Sequence, residues 1–238
     1  MENASGRDTL MNSIKTSLRS LLLRPHTIVF SKPAALIFML YGGTYLTANA
    51  LDTATSTYHN RPASSVTAGT SKFAASSAAN VGLCMYKDQV YVRMFGPPGA
   101  VPRPVAPVSY ALFTIRDCLT IFASFNVPPL LAPHINARLS EGMRRHVSGA
   151  TCAQFVAPAA VQLVSTPLHL LGLDMYNRPS GSAVGTTSQL VSWADRWELV
   201  RRAWFPSAMA RICRIVPAFG VGGVVNTKVR QSLMGRMT

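Results

Sequence analysis

Arg116 and Asp117 stand side by side in the middle of an apolar run, YALFTIRDCLTIFASF at 110–125. A second run, FPSAMARICRIVPAFGVGGVV, carries Arg211 and Arg214, and a third carries His169. The three guanidiniums can attract a carboxylate or phosphate, and Asp117 can select for an amine. An ionised group at a bilayer centre costs about 2.5–3.5 kcal/mol, so such side chains are expected to turn inward, toward a polar cavity or toward partners that pin the helices together. Adjacent helix positions diverge by ~100°, which sends Arg116 and Asp117 to partners on other helices rather than to each other. Arg211 and Arg214, three apart, are expected on one face. For His169 the plainer reading is a satisfied core histidine.

Enzyme chemistry finds no footing. The chain has no G-x-S-x-G, H-E-x-x-H or P-loop pattern and no carboxylate pair at useful spacing, so no catalytic residue is expected and the protein is read as no enzyme. Cys84, Cys118, Cys152 and Cys213 all lie in apolar segments without a C-x-x-C pair, which points to buried thiols, no metal site and no cofactor. The GVGGVV stretch lacks the strand and acidic residue of a nucleotide loop. Its small residues, such as Ala218 and Gly222, suit close helix contact instead.

Five apolar blocks must position these groups: 33–51, 73–90, 108–131, 151–173 and 205–225, each near the ~20 residues that span a hydrocarbon core. Pro158 and Pro167 interrupt the fourth, as membrane helices tolerate. Pro, Gly, Ser and Thr mark connectors at 53–71, 96–107 and 178–189. WADRWELVRRAW at 193–204 suits a membrane interface. Residues 1–31 form a basic amphipathic N-terminal segment, with Leu10, Ile14, Leu18, Leu21 and Leu22 on one stripe and Lys15 and Arg19 off it. Such a helix serves as a mitochondrial targeting element, an interfacial anchor or a surface helix of a soluble domain. Residues 32–238 are read as the helical membrane domain.

Composition agrees with lipid. Charged residues make up only 13% of the chain, about half the usual soluble share. The formal net charge is +14, which calls for an anionic partner. Basic residues are spread over every hydrophilic segment rather than clustered with aromatics, which favours membrane lipids such as cardiolipin over nucleic acid.

Three segments, KPAALIFMLY at 32–41, IRDCLTIFASF at 115–125 and CRIVPAFGVGGVV at 213–225, look like versions of one element, with Pro33, Leu119 and Pro217 in corresponding places. Here the chain resembles the mitochondrial carrier family, which repeats a pair of membrane helices three times. PLHLLG at 167–172 and YKDQVYVR at 86–93 are similar to that family's proline-acid-base gate motif, with Pro167, Asp88 and Arg93 as its remnants. The resemblance implies an all-α, multi-span membrane bundle of carrier-like helix pairs, with about five spans. It also implies a multi-pass protein of the mitochondrial inner membrane that transports a small anionic or zwitterionic solute, Arg116, Asp117, His169, Arg211 and Arg214 lining the cavity. The rival reading is a non-transporting membrane scaffold on the same fold. Oligomeric state stays open.

Overall fold

The structure, a computed structural model, describes residues 10–62, 65–95, 106–177 and 192–235, and every regular element among them is helical. In chain order these are α1 (Leu10–Leu23), α2 (Pro25–Val29), α3 (Lys32–Tyr58), α4 (Thr70–Phe95), α5 (Pro107–Ile121), α6 (Val127–Arg138), α7 (Glu141–His146), α8 (Gly149–Asn177), α9 (Trp193–Ile215) and α10 (Gly222–Met234). The predicted connector at 178–189 and most of that at 96–107 lie outside the described residues, as do residues 1–9.

Each of the five apolar blocks falls within a long helical rod, and among the described residues four rods are long and apolar enough to cross a membrane: 32–58, 107–138, 149–176 and 193–234. The multi-span helical bundle expected from the sequence is thus present, with four candidate spans against the five apolar blocks. α4 is long enough, but Ser, Asn, Lys and Asp interrupt its apolar sequence.

Two rods are continuous because a π-helical turn joins their halves, Phe122–Asn126 between α5 and α6 and Val216–Val221 between α9 and α10. Proline explains both. Pro128 and Pro129 have no N–H for the carbonyls of Ser124 and Phe125, and Pro217 has none for Cys213, so the ladder widens instead of breaking. α9 starts on a capping box, in which Ser192 Oγ accepts from Ala194 N–H at 3.2 Å and Asp195 Oδ2 accepts from Ser192 N–H at 3.2 Å.

The chain divides into two compact units, residues 1–46 with 78–104, and residues 47–77 with 105–238. In the first, α3 and α4 run antiparallel. Tyr91 donates to the Pro33 carbonyl at 3.0 Å, Thr44 reaches Asn80 Oδ1 at 3.3 Å, and a Cβ on Gly43 would lie 2.6 Å from Leu83 Cδ1. In the second, α8 is the central post, packed against α5, α6 and α9.

Burial is inverted relative to a water-soluble domain. Thr44, Gln162, Ser165 and Asn126 are fully buried, while Phe38, Leu46, Val164 and Phe205 face outward. Some buried hydroxyls bond back to their own helices: Thr120 donates to the Arg116 carbonyl at 3.0 Å and Ser124 to the Thr120 carbonyl at 2.7 Å. An apolar exterior over a polar interior is what lipid demands of a bundle.

Candidate solute-binding site

The polar interior of the second unit is organised by α8. Gln154, Gln162 and His169 are spaced by about two helical turns, hence on one face, and each anchors a different polar level.

At the first level, Arg116 Nη1 lies 2.7 Å from His169 Nδ1. A guanidinium can only donate, so the imidazole nitrogen accepts and the ring carries its proton on Nε2. Arg116 also grips Asp117 Oδ1 through Nε at 2.9 Å and Nη2 at 2.7 Å. The expectation that these neighbours would part is corrected, because the arginine stem is long enough to fold back across ~100° of helix surface. The face of Phe113 lies under the guanidinium, 5.3 Å from ring centre to Cζ.

At the second level, Arg211 is buried against α8. Its Nε and Nη2 donate to Gln162 Oε1 at 3.1 and 2.8 Å, and Nη2 also reaches Ser165 Oγ at 3.2 Å. Nη1 is buried with no hydrogen-bond partner. Arg116, Asp117 and Arg214 lie within Coulombic reach of Arg211, so positive charge outweighs negative around it. Arg214, expected beside Arg211, is itself exposed, since residues three apart on a helix still differ by ~60°.

At the third level, Gln154 Nε2 donates to the carbonyls of Ser124 at 3.0 Å and Phe219 at 2.8 Å, one in each π turn. Gly223 leaves room for this clip, since a Cβ there would run into the Gln154 side chain. Beside it opens a cavity of about 260 Å³, lined among others by Asn49, Asp52, Lys72, Asn226 and Lys228. Lys72 Nζ donates to Asp52 Oδ2 at 2.8 Å, and Asp52 Oδ1 accepts from Thr67 N–H and hydroxyl, each at 2.9 Å. Asn49 and Asn226 pair reciprocally at 2.7 and 3.1 Å. A further buried ion pair, Asp174 with Arg196, ties the C-terminal part of α8 to α9.

Of the residues singled out in the sequence, the structure brings Arg116, Asp117, His169 and Arg211 together and leaves Arg214 at the margin. Asp88 pairs with its own neighbour Lys87 on an exposed part of α4. The side chain of Arg93 lies outside the described residues. Pro167 has a local role: it withholds the N–H that the Leu163 carbonyl would accept, and Trp204 Nε1 fills the vacancy at 2.8 Å. Gln154, Gln162, Asn49, Asn226 and the Asp52–Lys72 pair escaped the sequence reading. The two-turn spacing of polar residues along apolar α8 was the available signal.

A family model described as "Probable citrulline exporter" matches residues 1–234. No curated protein and no solved structure matches the chain. The match overturns the resemblance to the mitochondrial carrier family: of the remnants that suggested its gates, Asp88 pairs with its neighbour Lys87 and Pro167 leaves a carbonyl that Trp204 serves.

Proposed function

We propose, for a chain that belongs to the probable citrulline exporter family, the movement across a membrane of a small zwitterionic amino acid of the citrulline type. The protein is a multi-pass helical membrane protein, and the observation that carries the proposal is Arg211. A guanidinium held in the interior of such a bundle, with its Nη1 left without a partner, is ready to receive a carboxylate oxygen. Asp117 offers the complementary charge to an ammonium group, and Arg116 stays held by His169 while it does so. The excess of guanidinium over carboxylate makes the level attractive to an anion or zwitterion and repulsive to a cation.

The proposed home is the mitochondrial inner membrane, an assignment supported by the basic N-terminal helix and the net charge of +14. Lys15 and Arg19 of α1 are suited to the headgroups of anionic lipid such as cardiolipin, with Leu18, Leu21 and Leu22 exposed beside them.

The test is efflux of labelled citrulline from proteoliposomes. The Arg211→Gln variant, which keeps polarity but loses the charge, is expected to slow efflux at least ~10-fold, the equivalent of ~1.4 kcal/mol. Efflux at the original rate would remove the assignment. A scaffold role is the second reading, favoured by the buried pairs Asp52–Lys72 and Asp174–Arg196, which hold helices together without needing a solute. Wild-type vesicles that retain citrulline would select it.

A further inference from the structure

The cavity beside the Gln154 clip is separate from the Arg211 level. Gln154 and Gln162 are eight residues apart on α8, roughly 12 Å along the helix axis. Its wall contains an arrangement with a specific chemical meaning. Asn49 Nδ2 donates to Asn226 Oδ1 at 2.7 Å while Asn226 Nδ2 donates to Asn49 Oδ1 at 3.1 Å, so two carboxamides meet edge to edge. Each presents one donor and one acceptor on the same edge.

A primary amide or a urea presents that same edge. Such a group can take the place of either asparagine and reproduce both hydrogen bonds to the other, the displaced carboxamide turning into the cavity. An ammonium or a guanidinium has donors only, so it would leave one carboxamide N–H facing another donor in a half-buried wall. The charge around the cavity acts in the same direction. Lys72 and Lys228 line it and Arg230 lies within Coulombic reach of Lys72, while Asp52, the carboxylate in the wall, is already occupied by Lys72 and Thr67. A cationic tail meets repulsion there, and a solute carboxylate meets attraction.

We infer that this cavity is a second solute station, which reads an uncharged urea or primary-amide tail through Asn49 and Asn226. The inference rests on the transport reading above and adds the site at which the solute's tail is distinguished. A volume of about 260 Å³ admits one small amino acid. Sites built to hydrogen-bond a polar group discriminate strongly against analogues that lack it, because their own buried groups are then left unpaired.

The test is calorimetric binding to the full chain in nanodiscs, with citrulline, arginine and ornithine as probes. These three share a backbone and end in a ureido group, a guanidinium and an ammonium. The wild type is expected to prefer citrulline over the two cations at least ~10-fold. In the double variant Asn49→Leu/Asn226→Leu, which removes both partners and so orphans neither, that ratio falls toward one. Asn226→Gln, which restores a carboxamide, recovers part of it. Asn226→Asp supplies acceptors only and shifts the preference toward arginine. Thermal melts of the variants establish that each is folded.

A citrulline preference unchanged in the double variant and in Asn226→Asp overturns the station, as does a wild type that binds none of the three. The two readings fail separately. Selectivity that depends on Asn226 in a protein that does not transport refutes export and keeps the station, whereas citrulline efflux with selectivity indifferent to both asparagines keeps export and refutes the station.

Discussion

Charged side chains in this protein fall into two kinds, distinguished by their surroundings rather than by their type. Asp174 and Arg196 are almost wholly buried and face each other, whereas Asp88 is half exposed and meets Lys87 at the surface. Removing one member of a buried pair strands the other charge, at roughly 3–5 kcal/mol. An exposed pair contributes about 0–1 kcal/mol. Asp174→Asn is therefore expected to lower the thermal unfolding temperature in detergent micelles by many degrees, and Asp88→Asn to leave it nearly in place. Equal melting temperatures for the two would contradict the partition. Arg211 belongs to neither kind. Its Nε and Nη2 are held by Gln162 and Ser165 but its Nη1 is not, which is why it is the residue proposed to meet the solute.

Among the elements, α8 and the two π turns act as one device. Prolines withhold backbone N–H groups, the turns widen, and the carboxamide of Gln154 collects a carbonyl from each. Gln154→Leu removes the donor shared by both carbonyls and is expected to cost about 1–3 kcal/mol, chiefly at Ser124, since the Phe219 carbonyl keeps the Gly222 N–H. Gly223→Ala should act in the same direction, because its Cβ would displace the same side chain. Since both changes break one clip, the double variant is expected to lose less stability than the sum of the two, and additive losses in micelle unfolding would show the clip to be absent. Gly220 has a parallel role, since a Cβ there would lie 2.8 Å from Phe155 Cδ1.

For the molecule as a whole, the inverted burial pattern and four long apolar rods make lipid its solvent. Alkaline carbonate extraction of the expressed full chain is expected to leave it in the membrane pellet, and recovery in the supernatant would defeat that reading. Fractionation of mitochondria with inner-membrane markers then tests the proposed address independently of transport. Membership of the probable citrulline exporter family is consistent with a membrane transporter of a small solute.

The sequence by itself determined the helical class, the lipid setting and the inward turn of Arg116, Asp117 and Arg211, because the cost of a charge in hydrocarbon depends only on composition and length. It also displayed the prolines, although not what they would do. Only the tertiary structure decided which groups meet. Arg116 folds back on Asp117, Arg214 stays at the margin, and Asn49 finds Asn226 across 177 positions of chain. Pairings of that range depend on how the rods are rotated and staggered against one another, and rotation is set by packing that helical periodicity does not encode. For the same reason the apparent carrier motifs misled, since spacing along one helix shows which residues share a face but not what that face will touch.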